Sequence, residues 1–155
     1  MTGRDPAVVI DDLDRRIIAE LQADGRRPYT RIAPAVGLSE AAVRQRVQRL
    51  VDSGVMQIVA VADPRVLGFD RQAMIGLRVE GDVRAVADAL AAMPEVEYVV
   101  VTAGSIDVLA EVVVTDDEQL IALLNDKIRT LPGVRETETT VYLRVHKESY
   151  AWGRA

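Results

Sequence analysis

The sequence predicts an α+β protein in two parts, an N-terminal helix-turn-helix domain followed by a ferredoxin-like domain of βαββαβ order. Three observations carry this prediction. Before Gly54, apolar residues recur at helical spacing in three short stretches, with a Gly-Leu-Ser turn between the last two. Beyond Gly54 the pattern changes to β-rich stretches separated by two further helical ones. Turn-forming residues stand at the joints: Gly81-Asp82, Met93-Pro94, Ala103-Gly104-Ser105, Thr115-Asp116 and Pro132-Gly133.

In chain order, Asp11 and Asp12 are N-cap candidates for a first helix with Leu13, Ile17, Ile18 and Leu21 on one stripe. Gly25 stands where a helix end favours a left-handed residue. A second helix follows Pro28 and turns Ile32 and Val36 inward. Pro34 falls inside it, without an amide donor, so this helix is expected to start late, near Thr30, or to kink. In Val36-Gly37-Leu38-Ser39, Gly37 supplies a positive φ and Ser39 the next N-cap. The third helix spans Glu40 to Asp52, with Val43, Val47 and Leu50 on its inner face and Gly54 at its end. Val55 to Ala62 is rich in β-formers until Asp63-Pro64 breaks it. The second part then reads strand (Ala73–Val79), helix (Val83–Ala92), strand (Val96–Thr102), strand (Ile106–Val114), helix (Asp117–Leu131), strand (Val134–Val145). That order predicts an antiparallel sheet with both helices on one face. The domains are expected to cover residues 1–62 and 63–155.

Composition sets the function classes. With 49% apolar and 28% charged residues the chain is globular rather than disordered. It has no cysteine, which removes disulfide and thiolate chemistry and fits a reducing cytoplasm. The acidic N-terminus lacks a signal-peptide pattern, and no run approaches the roughly 18 apolar residues that span a bilayer, so a cytoplasmic location is expected.

The formal charge of −5 conceals an asymmetry. Residues 1–60 carry nine Arg against eight acids, whereas the remainder carries ten basic and sixteen acidic side chains. Between Arg26 and Leu50 six Arg face the single Glu40. A basic patch on an acidic body orients a molecule on phosphates. The helical period turns Glu40, Ala41, Arg44, Gln45 and Gln48 of the third helix outward. Arg can be bidentate to guanine and Gln to adenine in the major groove of double-stranded DNA. Arg46 and Arg49 lie toward the flanks, where they suit phosphate contacts. Ala41 and Ala42 are small enough to let the helix start sit deep in the groove, and Arg27 and Ser39 complete the candidate DNA-binding set. The alternative is a merely solvated helix face. The three-helix frame and the local charge favour DNA.

Catalysis is not expected, nor is a metal or cofactor. With no Cys and one His, His146, a His/Cys metal cluster cannot form within one chain. Asp116-Asp117-Glu118 is the acidic first turn of a helix, and Glu136 and Glu138 alternate with threonines along a strand.

The stretches LDRRIIAELQADGR (Leu13–Arg26), IAPAVGLSEAAVRQRVQRLVDSGVM (Ile32–Met56), DPRVLGFD (Asp63–Asp70), VTAGSIDVLAEV (Val101–Val112) and IRTLPGVRETETTVYL (Ile128–Leu143) resemble the leucine-responsive/asparagine-responsive regulators, the Lrp/AsnC family. The resemblance covers nearly the whole chain. It implies a winged-type helix-turn-helix, a hinge strand and a βαββαβ effector domain. It further implies a homodimer formed through the C-terminal sheets, assembly into octamers or helical arrays, and a small effector, commonly an amino acid, bound between dimers. The family's Gly-x-x-Asp pattern maps onto Gly104 and Asp107 in the loop Thr102-Ala103-Gly104-Ser105-Ile106-Asp107. By the same alignment Val101 precedes the loop, and Thr139 and Thr140 complete the pocket. Gly104 lets backbone amides approach a carboxylate, and Asp107 either holds an α-ammonium group or braces the loop. Gly104-Ser105 also reads as an ordinary hairpin turn. Two other readings remain: an architectural DNA-binding protein without effector, and a tetrapyrrole decarboxylase-like enzyme, which the Arg-rich helix disfavours.

Overall fold

The computed structural model describes residues 9–148, and the outermost residues of both expected domains, 1–8 and 149–155, lie outside them. The described residues divide into two compact units, 9–61 with 147–148 and 62–146, so the second ends before the expected residue 155.

The N-terminal unit contains α1 (Asp12–Ala23), α2 (Tyr29–Val36) and α3 (Glu40–Asp52). Its small core gathers Ile17 and Leu21 from α1, Ile32, Ala33 and Val36 from α2, and Val43 and Val47 from α3. Asp11 caps α1. The helix ends differently from expectation, because Asp24 takes an extended conformation and its carboxylate accepts the Arg26 amide at 3.0 Å. This side-chain turn does the work expected of Gly25, which does not adopt a positive φ. α2 begins at Tyr29 rather than late and runs on through Pro34, an exposed residue. Only Thr30, one turn earlier, loses an amide partner to the proline ring. Gly37 turns the chain at φ 74°, a conformation in which an L side chain is strained. Ser39 then caps α3, its Oγ accepting the Ala42 amide at 3.2 Å.

Residues 56–63 form neither helix nor strand. The expected hinge strand, and any wing built on it, is therefore absent from the described residues. A strand exists only beside another strand, and within this chain the β-formers of Val55–Ala62 find no neighbour. Ile58, Val59 and Val61 are exposed.

The second unit opens with a short 3-10 turn, Pro64–Leu67, and continues through β1 (Arg71–Val79), α4 (Val83–Ala91), β2 (Val96–Val101), β3 (Val108–Val114), α5 (Asp117–Ala122) and β4 (Val134–Val141). The four strands lie in the order β2-β3-β1-β4, every pair antiparallel. Ala73, Ile75 and Leu77 of β1 and Val108, Ala110, Val112 and Val114 of β3 point to one face. Val86 and Leu90 of α4 and Leu120, Leu123 and Ile128 pack on that same face, so both helices cover one side of the sheet, as the strand order requires. The register turns Met74, Leu109, Val113, Val100 and Tyr98 to the opposite face, together with Glu111 and Glu138. There Gln72 donates to Glu111 at 3.1 Å.

Several boundaries differ from the sequence pattern; β1 starts at Arg71 rather than Ala73, and α4 and β2 each end one residue early. β3 starts at Val108, because Ile106 and Asp107 close the preceding loop instead of extending the strand. β4 stops at Val141 rather than Val145, since β1 begins at Arg71 and its last backbone bond to this edge is the one its Gln72 carbonyl accepts from the Tyr142 amide at 2.8 Å. The last helix leaves α geometry after Ala122 and winds as a π-helix over Leu123–Ile128, which buries both Leu123 and Ile128.

No helix among the described residues is long and apolar enough to cross a membrane.

Candidate DNA-reading face and ligand loop

The chemistry of α3 divides along its length. Val43, Val47 and Leu50 are buried, so the helical period presents Glu40, Ala41, Arg44, Gln45 and Gln48 to solvent and half-buries Ala42. Two of the exposed groups are held within the helix: Arg44 donates to Glu40 at 2.7 Å and Gln48 to Asp52 at 2.7 Å. The Arg44 guanidinium also lies 5.3 Å from the centre of the Tyr29 ring, within range of a cation–π attraction. Arg27 pairs with Glu20 on α1.

Arg46 and Arg49, expected to face phosphates, turn toward the start of α1 instead. Arg46 donates to Asp11 at 2.7 Å and to Asp14 at 2.8 Å, and Arg49 donates to Asp14 at 2.5 Å. Asp14 is the one buried charged residue among those described, at 1% exposure. It also completes a reciprocal cap, in which the Asp14 amide donates to Asp11 at 2.8 Å and the Asp11 amide donates to Asp14 at 3.1 Å. Burial pushes the Asp14 carboxyl up, but the hydrogen bonds from Arg49, Arg46 and the Asp11 amide outweigh that and hold it at about 2. The Asp11 carboxyl is likewise lowered, by the Asp14 amide first and by Arg46 second.

Asp14 and Tyr29 were absent from the candidate residues. Asp14 left a readable signal: it stands three residues before Ile17 and seven before Leu21, in line with the buried stripe of α1. An acid on an apolar stripe facing an Arg-rich helix requires a cationic partner. Tyr29 left none, since its pairing with Arg44 depends on how α2 meets α3.

The loop between β2 and β3 is tied to both of its flanks. The Thr102 amide donates to the Asp107 carbonyl at 2.9 Å and the Thr102 hydroxyl to the Ile106 carbonyl at 2.5 Å. The Asp107 amide donates to the Leu77 carbonyl at 2.9 Å, and its carboxylate accepts the Val79 amide at 2.8 Å. Asp107 thus bolts the loop to the end of β1, the bracing role of the two considered. Ile106 folds over Gly76, where a Cβ would stand 3.2 Å from its Cδ1. Val101, Gly104 and Ser105 remain exposed, and a Cβ at Gly104 would meet nothing within 4 Å. Thr139 and Thr140 pair with Ile75 and Met74 and so point to opposite faces of the sheet. Within one chain they do not converge on the loop.

Comparison with known proteins bears on the family and the fold. The family model described as an AsnC-type helix-turn-helix domain matches residues 10–51. A second AsnC-type model, described as a C-terminal dimeric alpha+beta barrel domain, matches residues 69–155. The chain is 36% identical over 144 residues to the HTH-type transcriptional regulator FL11 of Pyrococcus horikoshii, covering 92% of this chain and 95% of that one. Among solved structures it is similar to the Mycobacterium tuberculosis leucine response regulatory protein, with a TM-score of 0.81, 32% identity, and 90% and 96% of the two chains covered. A Neisseria meningitidis transcriptional regulator solved in complex with L-Met shares the fold, with a TM-score of 0.80 at 24% identity over 94% and 97% of the two chains.

Proposed function

Because the chain belongs to the Lrp/AsnC family of transcription regulators, we propose that α3 reads a specific duplex sequence through Arg44, Gln45 and Gln48. The observation that carries this reading is the exposure of those three side chains on the side of α3 opposite Val43, Val47 and Leu50. Ser39, Ala41 and Ala42 form the slim helix start that enters the groove, and Arg27 flanks it toward the backbone, while Arg49 is held by Asp14. Arg46, drawn to two carboxylates, holds α3 to α1 rather than DNA to protein. A homodimer then sets two copies of α3 on a pseudo-palindromic site.

The same reading places an amino-acid effector at Val101–Asp107, between dimers. The support is an open loop whose shape is fixed by Asp107 and Thr102, and the likeness to a regulator named for its response to leucine. Thr139 and Thr140 take part only where a second copy brings a different β4 to the loop. The outer sheet face, with Met74, Leu109 and Val113, forms the dimer contact, and octamers are the next level of assembly. The protein works on cytoplasmic DNA.

The deciding experiment is enrichment of a randomised duplex pool by the purified protein, followed by footprinting on the enriched sequence. A palindromic protected site supports sequence-specific reading. Uniform binding without enrichment assigns the protein an architectural role instead.

A further inference from the structure

Glu40 is the one acid in the Arg-rich segment, and it sits on the outward face of the helix that meets DNA. An acid in the first turn of a helix suits the helix dipole, but at this place it also works against phosphate binding. Its carboxylate Oε1 accepts from the Arg44 guanidinium at 2.7 Å, one turn away, while the Tyr29 ring backs the same group at 5.3 Å. The Arg44 and Glu40 side chains are 65% and 44% exposed, so the pair contributes little to the stability of the fold. What it fixes is the direction of Arg44.

We propose that Glu40 determines specificity, with Tyr29 as its positioning partner: the two withhold Arg44 from the DNA backbone and leave it poised for a guanine edge. This rests on α3 being the DNA-reading helix. A phosphate has to compete with a carboxylate already at contact distance, and it meets the repulsion of that carboxylate as well. A guanine edge avoids this conflict, because O6 and N7 take two of the five guanidinium donors and leave the rest to Glu40. A carboxylate beside that contact also suits a neighbouring cytosine amine, which donates to it. The acid therefore penalises backbone binding more than base reading, and discrimination grows although total attraction to DNA falls.

The test compares the full-length wild type with Glu40→Gln, Arg44→Ala and the double variant. Each is titrated with a scrambled duplex of about 30 base pairs and with a duplex enriched by the wild type, at several salt concentrations. Glu40→Gln is expected to tighten binding to the scrambled duplex by up to about 5-fold, the scale of one exposed ion pair. It should steepen the dependence of log K on log salt by about 0.9 per protomer, as Arg44 turns to a phosphate. The ratio of enriched to scrambled affinity should fall. In the Arg44→Ala background the same change should leave the slope where it was. An equal gain with and without Arg44 overturns the proposal, since Glu40 then acts only as a negative charge. An unchanged slope and ratio overturn it as well. Should Glu40→Gln fail to fold, Tyr29→Leu and Tyr29→Phe decide: loss of discrimination in Leu alone supports the brace, and equal behaviour refutes it. A wild type that binds no duplex refutes the reading of α3 itself, a result distinct from wild-type binding that Glu40 does not tune.

Discussion

Asp14 on α1 and Arg49 on α3 meet at 2.5 Å, joining a carboxylate with 1% exposure to a residue thirty-five positions further along the chain. With Arg46 on the same carboxylate, this contact fixes how α3 lies on α1.

The pH dependence follows from that contact. The Asp14 carboxyl falls from an ordinary 3.8 to about 2 on folding, so folding favours its ionised form. The resulting stability, about 2 kcal/mol, is present above pH 4 and is lost as the pH falls through 2. Urea denaturation from pH 7 to pH 2 should show this loss. Asp14→Asn should be weaker than wild type by a similar amount at pH 7 and should lack most of the acid-side decline.

Arg46→Ala separates a structural arginine from a phosphate-binding one. Its guanidinium is occupied by Asp11 and Asp14, so its removal should lower the urea midpoint while leaving the salt dependence of DNA binding unchanged. A slope shallower by about 0.9 per protomer would return Arg46 to the phosphate contacts.

Arg44→Ala should cost about 1–3 kcal/mol of affinity for the enriched sequence and relax preference at one base position. Equal loss on every duplex would mean that Arg44 meets the backbone. Binding titrations on single-base variants of the enriched site distinguish the two outcomes.

Gly76→Val tests the ligand loop from beneath. A Cβ at residue 76 would stand 3.2 Å from Ile106 Cδ1, so the branched valine side chain is expected to displace Ile106 and disturb the loop that Asp107 bolts down. Thermal shifts with the twenty amino acids should reveal the wild-type effector, since a ligand at about 100 times its Kd adds roughly 2.7 kcal/mol. In Gly76→Val that shift should vanish while DNA affinity persists. Asp107→Ala should do the same and also lose about 1–2 kcal/mol of stability by unpairing the Val79 amide.

The features legible in the sequence were those set by local chemistry. α3 begins and ends where Ser39 and the Asp52–Gly54 stretch place it, because a cap and a left-handed glycine act over a few residues. The order of the βαββαβ unit followed from alternation and turns. What escaped depended on partners distant in sequence. The pattern of Val55–Ala62 reads as a strand, but a strand also needs a neighbour. β4 ends where β1 stops pairing with it, not where its residues stop favouring β structure. The helical period sets Arg46 and Arg49 beside the buried stripe of α3, but their partner, Asp14, lies on another helix. Thr139 and Thr140 were assigned by the family resemblance, and as neighbours along a strand they face opposite ways.

The irregular stretch at residues 56–63 has one more consequence. Beyond the half-buried Met56 its apolar side chains are exposed, Val59 at 68%, and its residues 57–62 join no backbone ladder among the described residues. A segment with the composition of a strand and no neighbour takes its conformation from whatever it meets. Its exposed β-formers suit pairing with an identical segment laid alongside, so its conformation is expected to depend on protein concentration. Circular dichroism across a dilution series should show β content rising with concentration, in a protein whose remaining secondary structure stays constant.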